Sequence, residues 1–189
     1  MKQLLLMCVC LLLILHANAQ DTNPKFKSLT YITYEIEAGK AVIKDIMEID
    51  NIGKVRYQSV WYEGIADTTY QLSSERIAKL NAIFNGERPL KSFMIKNKLE
   101  KGSHFAGPYE YVNYTLPNGK AEEFTIASIF MSETFNDAVD RLAVSPSKIA
   151  REGKTIKRPL LQKKILLSEK RSTYLPKIEE PPTVKDLSF

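Results

Sequence analysis

The sequence predicts an α+β fold. Its antiparallel sheet has about five strands in the order β-β-β-α-β-β-α, with two helices on one face and a basic, partly disordered C-terminal tail. Three observations predict this. Apolar residues alternate with period two through five segments, the pattern of half-buried strands. Two other segments repeat apolar residues at three- and four-residue spacing behind a serine, as amphipathic helices do. The strand segments come in runs of three and two rather than alternating one-for-one with helices, which argues against a doubly wound parallel sheet.

The elements follow in chain order. Residues 1–19 read as a cleaved export signal: Lys2 is the positive end, Leu4 to Leu15 the apolar run, and Ala17-Asn18-Ala19 the small-x-small cleavage site. The run is shorter than the about 20 residues a membrane-spanning helix needs. The mature chain is then expected to begin at Gln20, outside the cytoplasm. Ser28 to Glu37 alternates with Ile32, Tyr34 and Ile36 on one face. Ala41 to Asp50 places Ile43, Met47 and Ile49 on one side, Asp45 being the exception. Lys54 to Glu63 aligns Val55, Tyr57 and Trp61. Short Gly-containing connections at 38–40 and 50–53 join these three as a meander. Ser73 caps a helix carrying Ile77, Leu80, Ile83 and Phe84, which ends at Gly86 and Pro89. Residues 96–107 read as a loop. Tyr109 to Thr115 and Lys120 to Phe130 form a hairpin around Leu116-Pro117-Asn118-Gly119, and Ser132 caps a second helix with Phe135, Val139 and Leu142.

Composition divides the chain into the signal 1–19, a domain 20–143 and a tail 144–189. Residues 20–143 carry 15 Lys and Arg against 17 Asp and Glu, whereas residues 144–189 carry 11 against 5. The basic character belongs to the tail, where Leu160 to Leu167 is the one apolar cluster and is able to dock on the body. Cys8 and Cys10 lie inside the signal, so the mature chain has no thiol nucleophile and no Cys-ligated zinc. With His16 also in the signal, His104 is the one histidine left for a triad or a metal site. No metal and no cofactor is expected.

Three candidate sites stand out. The loop Gly102-Ser103-His104-Phe105-Ala106-Gly107 leads into Tyr109-Glu110-Tyr111, and a histidine near neutral pKa with Glu110 to orient it has the makings of an acid/base pair in a small hydrolase. A surface loop with a solvated histidine is the plainer reading. The aromatics Trp61, Tyr62, Tyr109 and Tyr111 form a binding platform if the sheet leaves them exposed together, with Trp61 and Tyr62 pointing to opposite faces of their strand. The tail cations Arg158, Lys163, Lys164, Lys170 and Arg171 attract an acidic partner or the periphery of a membrane. Carboxylate pairs such as Glu35 with Glu37 sit at strand ends, where solvated acids belong. Asn113-Tyr114-Thr115 and Asp67-Thr68-Thr69 fit short glycosylation patterns.

The leader ending Ala17-Asn18-Ala19-Gln20, and a body with strand pairs around Gly39 and Gly53 followed by Leu72-Ser73-Ser74-Glu75-Arg76, resemble the small exported envelope proteins of unknown function typical of Bacteroidota. The likeness covers roughly residues 1–143. It implies a periplasmic or outer-surface location and assigns no activity and no functional residue. The expected function is thus a non-enzymatic, exported binding domain whose partner is a protein or an envelope polymer. Nucleic acid is not expected, no transmembrane anchor is expected, and the hydrolase built on His104 and Glu110 is the alternative.

Overall fold

The computed structural model describes residues 23–95, 98–103, 105, 107–140, 142, 153 and 155–171. The predicted signal, His104 and the last residues of the tail lie outside these. The described chain is a six-stranded antiparallel sheet with helices on both faces. Its strands are β1 (Ser28–Glu37), β2 (Lys40–Asp50), β3 (Lys54–Trp61), β4 (Gly64–Gln71), β5 (Tyr109–Thr115) and β6 (Ala121–Ile126). They lie side by side in the order β4-β3-β2-β1-β5-β6, so the meander β1–β4 runs one way from β1 and the β5–β6 hairpin adds on the other side. The helices are α1 (Ser74–Ile83), α2 (Glu133–Val139) and α3 (Pro159–Arg171).

Local chemistry accounts for most boundaries. The side chains of Ser73 and Ser132 accept from the amides of Arg76 and Phe135, so both predicted helix caps are present. At the β2–β3 turn the amides of Ile52 and Lys54 donate to Asp50 Oδ1 at 3.0 and 2.9 Å. Gly53, at φ +77°, closes that turn under Ile77, where a side chain would collide.

The sheet exceeds the prediction by one strand. β3 stops at Trp61, Tyr62 and Glu63 form a two-residue turn, and Gly64–Gln71 returns as edge strand β4 in register with all of β3. The second hairpin strand ends at Ile126 rather than Phe130, because residues 128–130 coil into a 3-10 turn. A bulge also corrects the reading of β2. Thr33 pairs with Asp45 and Tyr34 with Ile43, leaving Lys44 unpaired, so side chains change faces there. Met47 and Ile49 point to the front face, whereas Ile43 joins Ile46 on the back.

The front core packs Leu29, Tyr31, Met47, Ile49, Val55, Val112 and Phe124 against Ile77, Leu80, Ile83 and Phe84 on one side and Phe135, Ala138 and Val139 on the other. Phe84 meets Tyr114 and Phe135 edge-on at 5.4 and 6.2 Å. On the back face Ile32, Tyr34, Ile43, Ile46, Ile65 and Tyr111 form a second core, closed by Ile156 and Ile165. Ile156 and α3, read as part of the tail, therefore belong to the fold. Full burial of Ile165 supplies roughly 1.5–3 kcal/mol of this docking. No helix among the described residues is long and apolar enough to cross a membrane.

Candidate functional site

The back face is half covered. α3 lies over the rows containing Ile32, Tyr34, Ile43, Ile46 and Tyr111, and among the described residues no helix lies above the next row of side chains toward the β2–β3 turn. Register builds that open row from single residues of five strands: Asn113, Thr30, Glu48, Arg56 and Thr69 stand side by side across β5, β1, β2, β3 and β4. Ser28 and Asp50 pair one position further along. Ser28, Thr30, Glu48, Asp50, Lys54, Arg56 and Thr69, with Leu29 and Ile49, line a shallow groove of about 470 Å³.

A charge network holds one wall. Arg56 donates twice to Asp67, Nε to Oδ1 at 3.4 Å and Nη2 to Oδ2 at 3.0 Å, a bidentate grip that raises Arg56 above its ordinary pKa. Gln58 Nε2 donates to the same Asp67 oxygen at 2.9 Å. Arg158, just before α3, donates to Gln58 Oε1 at 3.2 Å and lies 3.5 Å from Glu48 Oε2. A residue expected to be free tail charge thus ties α3 to the groove. The lining carries two carboxylates, two cations and three hydroxyls, so it offers donors and acceptors without a net charge.

The predicted aromatic platform does not assemble. Trp61 and Tyr62 are both exposed, at 42% and fully, because Tyr62 sits in the hairpin turn rather than within β3. They stand at the end of β3 away from the groove. Tyr109 is half-buried against Tyr34 at 5.9 Å and Phe105 at 5.1 Å. Tyr111 is a correction: it is buried beneath α3 and donates to Glu123 Oε2 at 2.9 Å, and burial with that carboxylate raises its pKa. It has no free surface to offer a partner.

Glu110 lies on the front face of β5, buried beside Tyr31, with which it shares a hydrogen bond, and Ser128. Burial pushes its carboxyl up to about 7, and Oε2 has no hydrogen-bond partner. His104 lies outside the described residues. Asp45, in the same front-face row by way of Thr33, accepts from Tyr57 Oη at 3.0 Å and from Ser59 Oγ. Glu35 and Glu37 both pair with the bulged Lys44, at 2.9 and 3.0 Å. Lys163, Lys164, Lys170 and Arg171 are exposed on α3. Of the two glycosylation patterns, Asp67 is committed to Arg56 and Asn113 sits in interior strand β5.

Sequence reading missed Arg56, Gln58, Asp67 and Glu48 as a set. The signal that finds them is cross-strand register, which requires β4 to be recognised first. Comparison with protein-family models, with curated proteins and with solved structures finds no match to this chain. No residue role comes from a relative, and function rests on the geometry above.

Proposed function

We propose that this chain is an exported, non-enzymatic binding domain of the cell envelope that holds an envelope polymer in the open groove of its back face. The observation that carries this reading is the register row Thr30, Glu48, Arg56 and Thr69, left uncovered by the described residues beside the half that α3 closes. A groove with balanced charges and several hydroxyls suits an extended ligand rich in hydroxyl or amide groups, gripped by many modest hydrogen bonds. The export half of the proposal rests on the leader 1–19.

The test is retention of the mature chain, residues 20–189, on purified envelope polysaccharide. Arg56→Ala removes a charged donor from the wall, and Thr69→Trp fills the groove from an edge strand that tolerates the bulk. Each is expected to weaken retention about tenfold or more, about 1.4 kcal/mol. Undiminished retention by both variants defeats the groove reading. Cleavage of the polysaccharide by the wild-type chain, abolished in His104→Ala, defeats the non-enzymatic half.

A further inference from the structure

The inner face of α3 is spent on the sheet, and its outer face has a pattern of its own. Ile165 and Ser168 are buried and Leu161, Gln162, Leu166 and Glu169 half-buried, whereas Leu160, Lys163, Lys164, Leu167, Lys170 and Arg171 are exposed. At 3.6 residues per turn, Leu160 and Leu167 fall about 20° apart, down the middle of the outer face. The same geometry sets Lys163 and Lys170 on one side of that seam and Lys164 and Arg171 on the other.

Leu160 is 82% exposed and Leu167 42%, although Ile165 on the opposite face of the same helix is fully buried. The helix has a single acid, Glu169, and it turns inward to accept from Tyr34 Oη at 3.3 Å, leaving no carboxylate of α3 on the outside. α3 passes over the β1–β2 hairpin, where Gln162 Nε2 donates to Ala41 O at 2.9 Å. That hairpin's exposed acids, Glu35 and Glu37, share the single cation Lys44. The result is an apolar seam flanked on both sides by exposed cations, on a helix that the back-face core holds in place.

We propose that the outer face of α3 rests on an anionic lipid surface, with Leu160 and Leu167 entering the boundary between headgroups and acyl chains. Lys163, Lys164, Lys170 and Arg171 then lie at the level of the phosphates. A helix lying in the plane of an interface needs an apolar stripe edged by basic residues, and charge complementarity selects acidic lipid over neutral lipid. The long aliphatic stems of the lysines extend the apolar contact while their ammonium groups stay in water. This surface is distinct from the groove, so the two readings fail separately.

Flotation of residues 20–189 with vesicles decides the matter. One set is pure phosphatidylcholine, and in the other roughly a third is phosphatidylglycerol. Binding is expected to the anionic vesicles alone and to weaken as salt rises. Replacing Lys163, Lys164 and Lys170 together by alanine should lower the partition about 100-fold, about fivefold per cation. Leu160→Ala with Leu167→Ala should lower it about tenfold, and that loss should persist at every salt concentration. Arg56→Ala should leave it unchanged. All these positions are solvent-exposed or half-exposed, and unchanged circular dichroism verifies the fold. Equal binding to both vesicle types overturns the proposal. So does an equal loss on replacing Lys91 and Lys101, exposed cations elsewhere on the body. Insensitivity to the leucine pair overturns it as well, and marks the stripe as a patch for a soluble acidic macromolecule.

Discussion

Ala38 holds a φ of +50°, in the left-handed region that costs a residue with a Cβ about 1 kcal/mol or more. With Gly39 at +74° it forms the two-residue turn of the β1–β2 hairpin, a geometry that favours Asn-Gly. Ala38→Asn is therefore expected to stabilise the fold by about 0.5–1 kcal/mol. Urea denaturation should show the midpoint rising with the slope unchanged, and a fall would mean that the turn is not strained. Glu110 is the second residue with a measurable consequence. Its ordinary value is 4.5 and burial lifts it to about 7 in the fold. Below pH 4.5 the carboxyl is neutral in both states and stability is at its full value. As pH rises from there toward 7 the unfolded chain ionises first, and stability falls by roughly 3 kcal/mol before levelling off above 7. Glu110→Gln keeps an acceptor for Tyr31 and removes the titration. Unfolding free energies from urea at about pH 4 and pH 8 should differ less in the variant than in the wild type by about this amount. The same pH response in both chains would show that Glu110 is ionised within the fold.

α3 is held by two kinds of contact of unequal strength. Ile165 is fully buried against the back face of the sheet, while Arg158 reaches Glu48 and Gln58 from a partly exposed position. Ile165→Ala is expected to cost about 2–4 kcal/mol through lost burial and the cavity left behind. Arg158→Ala should cost about 1 kcal/mol or less, as exposed ion pairs do. Hydrogen exchange of the α3 amides should accelerate strongly in the first variant and little in the second, and the reverse order would make the charged anchor the principal one. The elements differ in how openly the sequence declared them. Both serine caps and the Pro-Asn-Gly turn at 117–119 were legible, because capping and turn geometry depend on a few local side chains. β4 was not, since Gly64–Gln71 offers Gly, Ala, Asp and two Thr beside Ile65 and Tyr70, the muted pattern of an edge strand. α3 was legible only as an apolar cluster, because Leu160 and Leu167 face outward while Leu161, Ile165 and Leu166 face inward, blurring the period of 3.6. The bulge at Lys44 hid which face Ile43 serves. The groove was the least visible feature, being assembled from one residue per strand by register, which no local window contains.

Taken as a whole, the molecule is a sheet with two unlike faces. The front is sealed by α1 and α2, and the back is divided between an apolar half that needs α3 and a polar half that does not. This division has a consequence for dissecting the chain. A chain ending at Gly153 keeps every strand and the whole groove row, yet strips the cover from Ile32, Tyr34, Ile43, Ile46 and Tyr111. A contiguous apolar patch of that kind drives association in water. The truncated chain is expected to retain its strand signal in circular dichroism, to bind an apolar dye that the full chain ignores, and to associate as its concentration rises in sedimentation. Tyr34 and Tyr111 would also lose their low-dielectric surroundings, and their phenol pKa values, raised by burial and by Glu169 and Glu123 respectively, should return toward 10 in a spectroscopic titration. If the truncated chain instead stays monomeric and dye-free with unshifted phenols, α3 is an accessory to the sheet and not part of its core. Any loss of polymer retention or vesicle binding on truncation would mix association with the loss of a surface. The single-residue variants of the groove and of the outer face of α3 separate these, because they alter one surface while the cover stays in place.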